Sequence, residues 1–190
     1  MHKTRNKYEA AFDAILQDPR YQDNLDWGQA RRGHPEGTVR AHLAELERNL
    51  KTLRRRFDED AHWKLMLLIH THDSFKAEAK QGAPITHPRS HASLAARFLT
   101  EFCDEPDLIA MVQFHDEPYA LWRQTDGGTS PCNPARFTAL LGAIQDWNLF
   151  LAFNLIDGCT AGKERDPLIW FFREISGKVR STFTAADILP

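Results

Sequence analysis

Residues 60–76 read DAHWKLMLLIHTHDSFK, and this stretch decides the fold. Trp63, Leu65, Met66, Leu67, Leu68 and Ile69 are apolar nearly all round a helical projection, with no period-two alternation. Such a segment is a helix buried in the middle of a bundle. The run nevertheless ends in His70, His72 and Asp73, and Lys76 follows three residues after the aspartate. Burying an unpaired carboxylate is costly, and even a neutral imidazole needs partners. These polar groups therefore require partners brought in by other parts of the chain.

Helical periodicity continues on both sides. Residues 36–57 predict a long helix with Val39, Leu43, Leu46, Leu50, Leu53 and Phe57 on one stripe. Residues 4–18 predict a first helix, stopped before Pro19, and 19–35 an irregular connector. Shorter helices are expected over 90–103, 106–115 and 117–124, the second opened by Pro106. Residues 134–157 predict one long aromatic helix closed by Gly158, and 164–177 a last one ended by Gly177. Segments 77–90 and 125–134 carry the Gly and Pro of loops. The expectation is an all-α, single-domain bundle of about seven or eight helices. Within it, 1–33 form an N-terminal helix and connector, 34–163 a core and 164–190 a C-terminal helix.

The chain has 190 residues, enough for one domain with a real core, and a net charge of −2. That balance gives no bulk electrostatic footprint for nucleic acid. Arg31-Arg32 and Arg54-Arg55-Arg56 are local basic spots that read as solvated faces. Cys103, Cys132 and Cys159 are odd in number and form no CxxC, which argues against a disulfide framework or zinc ribbon and fits a reducing cytoplasm. The opening MHKTRNKYEAAF has no apolar leader segment, and no run reaches the roughly 18 apolar residues of a membrane span.

Several apolar stripes carry polar intruders. His42 lies three residues after Val39 and four before Leu46. His91 precedes Ala95, Phe98 and Phe102 at helical steps, His115 follows Leu108, Met111 and Val112, and Asp157 follows Phe150 and Phe153. With His72 and Asp73, six metal-capable groups point inward from five helices. A hydrogen-bonded core histidine explains any one of them; a shared divalent ion, or a pair, explains all six. Imidazole and carboxylate ligands suit iron, manganese, zinc or nickel. His72 and Asp73 are adjacent and so diverge by roughly 100° on a helix. Both reach one centre only if the ion lies between them at the helix end, or if the aspartate leans toward a second ion.

The same groups carry a family likeness. His72-Asp73 continues as HDSFK, an HDxxK pattern; HPEGTVRAHLAELERNL (34–50) places His42 at the first-histidine position; HASLAARFL (91–99), QFHDEP (113–118) and NLIDGCTAGK (154–163) follow in order. On these segments, from about 34 to 163, the chain resembles the HD-domain superfamily of metal-dependent phosphohydrolases. The resemblance implies His42, His72, Asp73 and Asp157 on a first metal, with His91 and His115 joining Asp73 on a second, as in binuclear members. Those members include cyclic-dinucleotide phosphodiesterases and the di-iron oxygenases similar to myo-inositol oxygenase. HPEG and HDEP are also similar to the HD portion of bacterial tRNA nucleotidyltransferases, but the chain lacks room for their nucleotidyltransferase domain.

The implied function is hydrolysis of a nucleotide or other phosphate ester by a metal-activated water. The metal is one or two divalent ions, with iron, manganese, zinc, nickel, cobalt and magnesium all open. The implied partner is a small phosphorylated molecule, with neither membrane nor nucleic acid. A di-iron oxygenase and a non-catalytic metal- or nucleotide-binding module are the alternatives. Asp73 and Lys76 are the candidate catalytic residues; Lys76 contacts phosphate, steadies the carboxylate, or is simply solvated. His34, Lys76, Arg89 and Lys163 are candidate substrate contacts, with His34 and Glu36 at the mouth of the long helix and His87 a weaker companion of Arg89. Asp116 either orients an imidazole or is a surface acid. Asp146, 11 residues before Asp157, falls on the same helix face if the long helix is continuous. The aromatics, Trp122, Trp147, Trp170, Phe171 and Phe172 among them, read as core, with a base-stacking role open for one near the cavity.

Overall fold

The computed structural model describes residues 5–189. Among them stand ten α-helices and no strand: α1 (Lys7–Gln17), α2 (Pro19–Asn24), α3 (Val39–Leu53), α4 (Glu59–Thr71), α5 (His91–Thr100), α6 (Pro106–Phe114), α7 (Glu117–Trp122), α8 (Pro134–Ala143), α9 (Trp147–Gly158) and α10 (Asp166–Ile175). The all-α single-domain expectation holds, with two more helices than anticipated. The central helix is α4. It packs against α1, α3, α5, α6 and α9, and Leu65, Leu67, Leu68 and Ile69 are fully buried in it. The near-uniform apolarity of 63–69 is thus the mark of an element with neighbours on every side.

Two expectations need correction. The segment 19–35 is not wholly irregular: Pro19 ends α1 but opens α2, with Asp18 accepting from Arg20 N at 2.8 Å as its N-cap. A proline that terminates one helix is well suited to the first position of the next. The long helix over 134–157 is two helices, α8 and α9, bent by 114°. Ile144 adopts extended backbone at the break, and Asp146 becomes the N-cap of α9, accepting from Leu149 N at 2.9 Å. Asp107, in the first turn of α6, accepts from the Gln145 and Asp146 N–H groups at 2.8 Å each. A carboxylate from another helix thereby satisfies the amides freed by the break. Asp146 is accordingly an exposed cap and does not share a face with Asp157. The N-terminal helix begins at Lys7, capped by Asn6; position 4 lies outside the described residues.

His70 answers part of the opening puzzle without chemistry. Its Nδ1 bonds the Tyr21 hydroxyl at 2.6 Å and its Nε2 bonds Glu47 Oε1 at 3.0 Å. It pins α2 and α3 to α4 and faces away from His72. The three cysteines are free. No single helix among the described residues is long and apolar enough to cross a membrane.

Candidate metal centre

The end of α4 delivers the doublet. His72 is the C-cap of α4 and is 1% exposed. Its Nδ1 donates to the Ile69 carbonyl at 2.9 Å, which fixes the tautomer and leaves Nε2 without a proton. That Nε2 is buried with no hydrogen-bond partner. Orphaned buried polar atoms are rare, and a bare imidazole nitrogen aimed at carboxylates is what a metal ligand looks like without its ion. Beyond Asp73 the chain turns sharply through Phe75, whose φ is +67°. A bulky residue in the left-handed region is strained, a feature concentrated at functional sites. The turn brings the Lys76 ammonium back onto Asp73 Oδ2.

The remaining groups converge on this point. The first turn of α3 supplies His42, whose Nε2 lies 3.0 Å from Asp157 Oδ1 and 3.9 Å from Asp73 Oδ2. His72 Nε2 lies 3.5 Å from Asp73 Oδ2 and 4.0 Å from Asp157 Oδ1. On the other side of Asp73, Oδ1 stands 3.5 Å from His115 Nε2 and 3.8 Å from His91 Nε2, and those two nitrogens are 3.1 Å apart. Ligands about 2.1 Å from one ion are separated by about 3.0–4.2 Å at the vertices of a tetrahedron or octahedron. His42, His72 and Asp157 form one group that could hold a metal ion, and Asp73, His91 and His115 a second. The adjacency of His72 and Asp73 is resolved by the carboxylate itself, one oxygen of which faces each group.

The electrostatics favour ligation. Burial pushes the His72 pKa down to about 3, so the ring is neutral at ordinary pH. Burial would raise the Asp73 and Asp157 pKa values, but Lys76 and Lys163 respectively, with the neighbouring imidazoles, hold both carboxyls well below the usual range. The Lys163 ammonium is 2.6 Å from Asp157 Oδ1. A third group that could hold an ion comprises His34, Glu36 and His42. There Glu36 Oε1 accepts from His34 Nδ1 at 2.9 Å and lies 3.0 Å from His42 Nδ1, the nitrogen turned away from Asp157. Glu36 therefore bonds His34 and lies close to the outer nitrogen of His42, a placement that its position before the helix did not announce.

A cavity of about 710 Å³ opens over the centre, with His72, Asp73, His115 and Asp157 at its floor. His34, Lys76 and Lys163, three of the candidate substrate contacts, line it together with Arg31, Arg32 and Arg123. Arg89 does not. Its N–H donates to His87 Nδ1 at 3.0 Å and its carbonyl accepts from Lys80 N at 2.8 Å, closing the turn before α5 and leaving the side chain exposed. Neither Arg89 nor His87 lines the cavity. Arg31 and Arg32 are exposed, as read from the sequence, and also stand on the cavity wall. Trp122, read as core, is half-buried and lines the cavity beside Tyr119, the ring planes 27° apart with centroids at 5.9 Å. Tyr119 is 50% exposed. The exposed ring was missed because a lone tyrosine in a short helix carries no periodic signal. No family model, curated protein or solved structure matches the chain.

Proposed function

We propose that the chain is a metal-dependent phosphohydrolase of the HD type, acting on a nucleotide or a related phosphate ester at a two-metal centre. The observation that carries this reading is the Asp73 carboxylate, which turns one oxygen to each of two histidine-containing groups beneath a cavity walled by lysine and arginine. His42, His72, Asp73 and Asp157 would hold one ion, and Asp73, His91 and His115 the other. When bound, such ions lower the pKa of a coordinated water toward neutrality and neutralise phosphoryl oxygens.

The chain's own groups do the rest. The bonds from His72 and His115 Nδ1 to the carbonyls of Ile69 and Val112, at 2.9 and 2.8 Å, hold both rings with Nε2 inward. Lys76 and Lys163 stand on the cavity wall beside the carboxylates, where their ammonium groups meet an incoming phosphate and offset its charge. Arg31 and Arg123 add positive charge nearer the rim, suited to further anionic groups. Tyr119 and Trp122 present a ring face of the kind that seats a planar base. This basic wall favours a phosphorylated substrate over the uncharged polyol of an oxygenase.

The test is a metal-loaded protein assayed on nucleotides and simple phosphate esters, beside an oxygen-uptake assay of the iron form. Phosphate release with manganese, cobalt or nickel supports the reading. Stoichiometric oxygen consumption without phosphate release replaces it with oxygenase chemistry, and inactivity in both leaves a binding module.

A further inference from the structure

His72-Asp73 is not the only histidine–aspartate doublet at a helix end. His115-Asp116 repeats the arrangement. His72 caps the C-terminus of α4 at φ −52°, ψ −40°, and His115 caps that of α6 at φ −57°, ψ −37°. Each histidine donates Nδ1–H to the carbonyl three residues before it, Ile69 at 2.9 Å and Val112 at 2.8 Å. Each aspartate follows as the chain leaves the helix, where its side chain is free to turn back toward the imidazole's inner nitrogen.

Where Asp116 points decides what it does. A carboxylate that merely orients a ligating histidine bonds its outer nitrogen. On His115 that nitrogen is already taken by Val112. Asp116 lies instead against the inner nitrogens, with Oδ2 3.1 Å from His91 Nε2 and Oδ1 3.6 Å from His115 Nε2. Together with the 3.1 Å between those nitrogens and their 3.8 and 3.5 Å to Asp73 Oδ1, these distances match the edge lengths of one coordination polyhedron. Asp116 also lines the cavity.

We propose that Asp116 is a protein ligand of the second ion. The inference rests on the two-metal reading above. It makes the two sites chemically equal: each ion is held by two imidazoles and two carboxylates, with Asp73 shared. Equal donor sets load the same kind of ion at similar affinity. Their oxygen content favours manganese or iron over a softer ion. Without Asp116 the second site has one ligand fewer and fills only at higher metal concentration.

The test is manganese titration by calorimetry, with electron paramagnetic resonance of the loaded protein. The wild type should take two ions per chain and give an exchange-coupled spectrum. Asp116→Asn, at a half-exposed position and nearly isosteric, should lose at least about tenfold in affinity at one site and give an isolated-ion spectrum, matching His91→Ala. Asp116→Glu, which keeps the charged carboxylate that asparagine's neutral amide oxygen lacks, should restore two-ion binding. If Asp116→Asn still takes two ions with unchanged affinity and coupling while His91→Ala does not, the Asp116 assignment is overturned and the metal centre stands. If the wild type binds fewer than two ions, both the assignment and the two-metal reading fall.

Discussion

The imidazoles of His70 and His72 are two residues apart in one buried helix and have opposite fates. His70 is fully partnered by Tyr21 and Glu47, whereas His72 Nε2 has no partner and faces Asp73 and Asp157. Substitution should separate them. His72→Ala or Asp73→Ala is expected to remove most bound metal, measured by elemental analysis of the purified variants. His70→Ala should keep the metal content but lower unfolding stability by about 1–3 kcal/mol, the cost of leaving buried partners unsatisfied. Full metal content in both His72→Ala and Asp73→Ala would break the ligand assignment. At the rim, Tyr119→Ala should raise KM for nucleotides several-fold while leaving small phosphate esters unaffected, since only the former offer a planar ring to stack. Equal effects on both substrate types would remove the stacking role. The clustering of the six candidate positions was legible because His42, His91, His115 and Asp157 fall on apolar stripes at helical spacing and His72-Asp73 ends an apolar helix. The placement of Arg89 away from the cavity was not legible, because a loop residue has no periodicity to say where it points.

Elements were legible where their signals were internal and were misread where another element intervened. The apolar run of α4 and the stripe of α3 announce themselves. The break between α8 and α9 depends on Asp107, nearly 40 residues earlier, and no local pattern reveals it. Glu105, just before α6, is a comparable junction: the Lys64 ammonium from α4 and the Tyr8 hydroxyl from α1 both donate to it. Burial would raise the Glu105 pKa, but Lys64 and Tyr8 outweigh it and lower it. A depressed carboxyl stabilises the fold above its unfolded value of about 4.3 and loses that contribution as pH falls through the folded value. Glu105→Gln should therefore cost about 1 kcal/mol at neutral pH, and chemical unfolding should show the deficit shrinking below about pH 4. A deficit that grows on acidification would reverse the sign of this junction's contribution.

On the scale of the whole molecule, the centre gathers side chains from α3, α9, the ends of α4 and α6, and the start of α5, so an ion that binds there ties much of the bundle together. Bound metal must then stabilise the fold by mass action. At a free manganese concentration 100 times the dissociation constant the gain is about 2.7 kcal/mol for one site, and a chelator should abolish it. Thermal melts with and without metal measure this directly; an unchanged midpoint at saturating metal would mean that no ion binds the folded state preferentially. The sequence conveyed that these histidines and acids face inward but not how the Asp73 carboxylate stands between two groups, because that depends on the turn through Phe75 and on two helices meeting either side of it.

The most direct test is crystallographic. Anomalous scattering from crystals grown with manganese should reveal two peaks flanking the Asp73 carboxylate, about 3.5–4 Å apart, one among His42, His72 and Asp157 and the other among His91 and His115. No peak within coordinating distance of Asp73, or manganese bound only elsewhere, would contradict the account.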